Sequence, residues 1–187
     1  MRRTGVCAVV ALLVLVGCGP GVAAPSETPV ETPVETPVVV TPTPSPSPTW
    51  SGEQQAAIDA VQRFFDVWSR IGQNLDSADW NDIHEVAADT AVSTAFAVWT
   101  DWDGRGYHLS GAPVFTPSSV MESMIDSRGK RYSVRGCYSI EKSTLVDSSG
   151  QPTGERGLER SIGVYRVLLT TDGKCVVIEA GEGDEPC

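Results

Sequence analysis

Residues 161–180 read SIGVYRVLLT-TDGKCVVIEA, two apolar runs on either side of Thr171-Asp172-Gly173-Lys174. Valine, isoleucine and tyrosine crowd both runs, and branched or aromatic side chains suit a pleated surface. Asp-Gly between two such runs is the strongest short-range signal for a β-hairpin, because both residues tolerate the positive φ of a tight primed turn. The segment is therefore read as strand Ser161–Thr170, turn, strand Cys175–Ala180. It makes the end of the chain an antiparallel sheet.

Working outward toward the N-terminus, further strands are predicted at Ala112–Thr116, Ser119–Ile125 and Arg131–Glu141, with Ser127-Arg128-Gly129 as another hairpin turn. Asp147 to Gly157 reads as a polar loop. Before Tyr107 the period changes. Ile58, Val61, Phe65, Trp68 and Gly72 recur at three- and four-residue intervals, with Asp59, Gln62, Arg63, Asp66 and Arg70 mostly on other faces. That is an amphipathic helix stopping at a glycine. A second helical segment begins at the cap Asp79 before Trp80 and carries Ile83, Val86 and Ala87. An alanine-rich third runs from Asp89 to Trp102, with Val92, Ala95, Phe96 and Trp99 on one side, and is ended by Asp103-Gly104-Arg105-Gly106. Helices followed by consecutive antiparallel strands define an α+β domain over 51–187, with helices packed on one face of a curved sheet.

Upstream, residues 19–50 repeat Glu-Thr-Pro-Val three times and then alternate proline with Thr or Ser. Proline removes backbone donors, and few large apolar groups offset the entropy of ordering, so a disordered linker is expected. In extended polyproline geometry it reaches at most ~100 Å, enough for a stalk. Thr/Pro density also suits an O-glycosylated stalk as well as a bare one. Residues 1–17 have a basic start, Arg2-Arg3, and an apolar run from Val6 to Val16 that is too short to span a bilayer permanently, which takes roughly 20 residues. They read as a signal peptide ending in Leu15-Val16-Gly17-Cys18.

The chain holds 24 acidic and 14 basic side chains, a net charge of −10, and loss of Arg2 and Arg3 with the signal would make it more negative. An acidic domain is a poor match for phosphate backbones, so no nucleic-acid partner is expected. The one basic concentration, Arg128, Lys130, Arg131 and Arg135, reads as a solvated sheet edge. With Cys7 in the signal, Cys137, Cys175 and Cys187 remain for an exported domain, which suggests one disulfide and one spare thiol. Cys137–Cys187 is the expected pair because it pins a tail. Cys137–Cys175 stays open, since Cys137 alternates with Arg135 and Glu141, and Cys175 with Glu179, on polar strand faces. Either closes a loop worth about 4 kcal/mol.

Two resemblances follow. Leu15-Val16-Gly17-Cys18 resembles the bacterial lipobox, which implies a diacylglycerol on the Cys18 thiol, cleavage just before it, and a domain anchored at the outer face of the cell membrane. Ala56 to Cys187 resembles the NTF2-like (SnoaL-like) cone of small exported lipoproteins from high-GC Gram-positive bacteria and their phages. The matching features are the first helix, Val86-Ala87-Ala88, the Gly104–Pro113 bend, Gly136-Cys137-Tyr138, Val146-Asp147 with Gly150, Asp172-Gly173 and Cys187. Lys174-Cys175 departs from that pattern, where tryptophan is usual after the turn glycine. The resemblance implies a pocket between helices and sheet, used by some relatives for proton transfer. Such chemistry needs a carboxylate or imidazole facing a tyrosine or similar donor. His84, Asp101, Asp103, Tyr107, His108, Tyr132 and Tyr138 are the candidates, and packing or capping accounts for each of them equally well. No metal-ligand spacing, phosphate loop or Ser-His-Asp order is present, so no cofactor is expected. The sequence-level reading is a non-enzymatic anchored binding domain for an envelope protein, with a small-ligand pocket or an isomerase-like enzyme as alternatives.

Overall fold

The computed structural model describes residues 48–155, 159–183 and 185–187. The signal peptide, Cys18 and the repeats lie outside them. Helix α1 spans Gly52–Gln73 and starts at a reciprocal cap. The Ser51 hydroxyl accepts from the Gln54 N–H at 3.3 Å, and the Gln54 carboxamide oxygen accepts from the Ser51 N–H at 2.9 Å. Two donors left orphan by helix geometry are thus satisfied. The Gln54 amide also donates to the Val120 carbonyl at 3.1 Å, tying the cap to the sheet edge. The buried face of α1 carries Ile58, Val61 and Phe65 as expected, joined by Ala57 and Phe64, while Trp68 is half-buried. A short 3₁₀ helix, Trp80–Glu85, is capped by Asp79, whose side chain accepts from the Asn81 N–H at 2.9 Å. Helix α2 spans Asp89–Gly104 and buries Ala91, Ala95 and Trp99.

The strands are β1 His108–Gly111, β2 Val114–Asp126, β3 Gly129–Ser139, β4 Ser143–Val146, β5 Arg160–Thr170 and β6 Cys175–Glu182. An antiparallel sheet runs β2-β3-β5-β6, and β1 pairs with β4 as a separate ribbon. Both helices pack against one face of the sheet, so the molecule is α+β with helices on an antiparallel sheet. Val86–Ala88 lies parallel to β6, with the Ala88 N–H on the Val177 carbonyl at 2.8 Å and the Val177 N–H on the Val86 carbonyl at 2.9 Å.

Several local expectations change. The two short strands predicted at Ala112–Thr116 and Ser119–Ile125 are one strand, β2, kinked by register shifts at Pro117/Ser119 and Glu122/Met124. Pro117 can stay in the ladder because β2 is the sheet edge, where a proline is tolerated, and it sits beside a register shift. Strands β1 and β4 were not expected from patterning: each is four residues long. The Asp172-Gly173 turn is not a primed one. Gly173 has φ +85, but Asp172 is not among the residues with positive φ. The Gly173 N–H donates to the Thr170 carbonyl at 2.9 Å and the Thr170 N–H to the Lys174 carbonyl at 2.8 Å. That is a three-residue loop whose left-handed glycine makes a bulge.

A second bulge separates the side of Cys175 from that of Glu179. Val177 pairs with Val167 and Glu179 with Arg166, leaving Ile178 as the extra residue. The alternation of β6 therefore slips by one residue, so Cys175 and Val177 join the helix-side core while Val176 and Ile178 pack with Leu168 and Ala88 on the other side. The expected polar face shared by Cys175 and Glu179 is overturned, because the bulge puts them on opposite sides. Cys175 is buried and free, and Cys137 is joined to Cys187 with 5.8 Å between Cα atoms. Before reaching Cys137, the tail pairs with β5: the Gly183 N–H donates to the Ile162 carbonyl at 2.7 Å and the Ile162 N–H to the Glu185 carbonyl at 2.8 Å.

Candidate functional site

Two glycines shape the helix-facing side of the sheet. Gly136 and Gly163 are register partners on β3 and β5. A Cβ on Gly136 would lie 2.6 Å from the Phe115 ring, and one on Gly163 would lie 2.7 Å from the Tyr165 ring. The missing side chains let both rings settle onto the backbone, 5.1 Å apart between centroids and edge to face. Phe65 comes down from α1 onto Tyr138 at 5.4 Å and Tyr165 at 5.3 Å. Offset and edge-to-face contacts of this kind match the ring quadrupoles and hold the cluster in one arrangement.

Beside that cluster is a pocket of about 260 Å³. Phe64, Phe65 and Trp68 of α1, Tyr138 of β3, Tyr165 of β5 and Ala180 of β6 form one side. Ala91, Thr94, Ala95 and Val98 of α2 form the other. The alanines keep it open: α2 sits beside a wall of rings, and its small side chains do not fill the gap. Thr94 is exposed and Trp68, Val98 and Ala180 are half-buried, so they make the rim. Among the described residues no carboxylate, imidazole or cation lines it.

A second, polar cleft of about 340 Å³ lies at the C-terminal end of α1, between Gln73–Ser77, Asp103, Tyr107, His108 and Ser148. It gathers three of the candidate residues, Asp103, Tyr107 and His108. Its surroundings are tied by structural contacts. Arg105 makes a bidentate pair with Glu155 at 2.7 and 2.8 Å, meets Asp101 at 3.0 Å, and lies 4.6 Å over the Tyr107 ring. Asp147 accepts from the Ser149 hydroxyl at 2.7 Å and from the Ser149 and Gln151 N–H groups at 2.8 and 3.0 Å. Those bonds, led by the Ser149 hydroxyl, hold its carboxyl below the usual range. With Val146 buried and Gly150 at φ +81, the Val146-Asp147…Gly150 motif is a loop staple.

The remaining candidates lie apart. His84 is exposed, with its ring 6.2 Å from Phe96. Tyr132 is buried under the start of α1 and donates its hydroxyl to Glu53, which also accepts from Lys130 at 2.7 Å. Burial first, then the Glu53 hydrogen bond, pushes the phenol pKa far up, so Tyr132 is a fixed donor. The Lys130 bond, followed by that of Tyr132, pulls the Glu53 carboxyl down. Of the predicted residues only Tyr138 reaches the apolar pocket. Its other walls were hidden because Phe65, Trp68 and Ala95 read from sequence as ordinary helix core, and nothing singled out Phe64 or Ala91. Among the described residues no group of three or more His, Cys, Asp or Glu is placed to hold a metal, and no helix is long and apolar enough to cross a membrane.

No family model and no curated protein matches the chain. Among solved structures, the intermembrane-space region of the chloroplast protein ARC6 is similar, with a TM-score of 0.50 and 13% identity, covering 72% of this chain and 98% of that one. At that identity the likeness concerns the fold alone, helices laid on an antiparallel sheet.

Proposed function

We propose that this chain is an exported lipoprotein, anchored through a lipid on Cys18 and held off the membrane by its Pro/Thr linker, whose NTF2-like domain binds a small molecule without transforming it. The order of elements, helices first and then consecutive antiparallel strands, supports the NTF2-like assignment. One observation carries the functional reading: the pocket between helices and sheet is walled by rings and aliphatic carbons and, among its described lining residues, has no carboxylate, imidazole or amine. Proton transfer of the kind the resemblance implies pairs such a base with a tyrosine donor, and the described walls supply tyrosines without the base. A concave, largely apolar pocket with few polar groups is the usual form of a small-molecule site.

The anchor and the binding role are tested separately. Wild type should sediment with membranes and Cys18→Ala should appear in the medium or soluble fraction. Retention of Cys18→Ala with the membrane would refute lipidation at that residue. Domain purified without denaturation from its envelope should carry a non-covalent small molecule visible by native mass spectrometry. Only bare polypeptide mass, at every preparation, would count against the binding role.

A second reading, a protein-docking domain, draws on Met121, Met124 and Ile125, which are 62, 52 and 65% exposed near the end of edge strand β2. Exposed apolar side chains beside an unpaired strand edge suit strand addition by a partner. Chemical cross-linking on intact cells, with Met121→Ser and Met124→Ser as controls, separates it from the first.

A further inference from the structure

Resting on the small-molecule reading above, we infer that the pocket takes an uncharged, planar aromatic ligand of about two fused rings, with one hydrogen-bonding substituent turned outward to the rim at Thr94. Four features of the site lead to this class.

Charge comes first. No lining side chain is ionised, and a charged ligand atom taken from water into such a site would lose hydration with nothing to replace it. Size comes next. About 260 Å³ leaves room for roughly nine water-sized groups, given a liquid-volume share of ~30 Å³ per water. A single small ring would underfill the site, and a long lipid tail would project into solvent.

Shape and surface chemistry then separate rings from chains. One wall already consists of an aromatic stack: Phe65 lies at 26° to Tyr138, and Tyr165 presents its edge to Phe65 at 73°. The rings cover one another's faces and leave a rigid aromatic wall, against which a flat ligand packs with more contact than a flexible chain. Opposite, Ala91 and Ala95 are one helical turn apart and make a shallow floor that a plane can lie against. A chain would also lose rotamer freedom on entering, a cost a rigid ring system avoids. Thr94 carries its hydroxyl on the exposed rim, whereas Tyr138 and Tyr165 are buried in the wall, so the polar end of the ligand belongs at Thr94.

The test is calorimetric titration of the folded domain, residues 48–187, with 2-naphthol. Saturable one-to-one binding is expected with Kd on the order of 0.1 mM, within the efficiency of a ligand this small. Decan-1-ol and naphthalene-2-sulfonate should each bind at least tenfold more weakly. Val98→Trp and Thr94→Trp, both on the rim where a larger side chain can be accommodated, should each weaken 2-naphthol at least tenfold and leave the melting temperature unchanged. Met121→Ser, on the distant strand edge, should bind like wild type. No saturable binding of 2-naphthol overturns the inference. So does undiminished binding by both tryptophan variants, a preference for decan-1-ol, or equal affinity for the sulfonate. None of these results bears on the envelope-purified mass measurement, so the broader binding role stands or falls on its own.

Discussion

Adding one methyl group at Gly136 should destabilise the domain more than the same addition at its register partner Gly163. An ideal Cβ there lies 2.3 Å from the Thr116 backbone carbonyl and 2.6 Å from the Phe115 ring. The carbonyl belongs to the neighbouring strand, so relief requires opening the β2–β3 ladder. Phe115 is 6% exposed and packed against Phe65 and Tyr165, so relief by moving the ring disturbs the whole aromatic cluster. Overpacking costs about 1–3 kcal/mol and occasionally more, and this site combines two obstructions, so ~3 kcal/mol is taken. Reduced freedom of the unfolded chain returns about 0.4–1 kcal/mol. The net loss is about 2–3 kcal/mol, or a fall in Tm of roughly 6–12 °C for a domain of this size. Gly163→Ala meets only the Tyr165 ring, at 2.7 Å, so its loss should be smaller. Gly104→Ala, near the end of α2 with nothing within 4 Å, should be neutral or slightly stabilising. Thermal unfolding followed by circular dichroism gives all three. If Gly136→Ala melts within about 2 °C of wild type, or melts above Gly163→Ala, the packing of rings on bare backbone is wrong.

Two further outcomes follow from the cysteines and from the start of α1. Cys187→Ser should lower stability by about 3–4 kcal/mol in denaturant titration, because the Cys137 link closes a long loop in the unfolded chain; Cys175, buried and with its thiol pKa raised mainly by that burial, should resist a thiol reagent until the domain unfolds, and prompt labelling of the native protein would contradict its position in the core. Glu53, held below its usual value of 4.5 by Lys130 and then Tyr132, contributes stability that is present above that value and lost as pH falls through its lower folded value; Glu53→Gln should therefore flatten the acid limb of the stability–pH curve, and an unchanged slope would remove the triad from the account.

The helices were legible because each buries a continuous stripe. Ile58, Val61 and Phe65 repeat with helical period and are all buried, and Asp79 caps where a cap was read. The hairpins were legible for a similar reason, since Thr170 to Cys175 and Asp126 to Gly129 interrupt apolar runs with turn residues. Strands β1 and β4 left no signal. Each has four residues, too few for alternation to stand out, and each exists because the other pairs with it from His108–Val146 to Gly111–Ser143. The pocket was equally silent. Its walls come from α1, α2, β3, β5 and β6, and an alanine that leaves a gap looks in sequence like an alanine that fills one.

Local chemistry along the chain was thus enough to place helices before an antiparallel sheet, since side-chain period and turn preference act over a few residues. Whether Cys175 and Glu179 share a side of the sheet depended on something else. One extra residue, Ile178, opposes no partner on β5, and that single slip parts Glu179 from the helix-side face that Cys175 shares with Val177, while Cys137 meets Cys187 on the far face. A bulge is a relation between two strands, set by how Val167 and Arg166 find Val177 and Glu179 across the ladder. Its position has no signature in β6 taken alone, so only the assembled sheet could decide it.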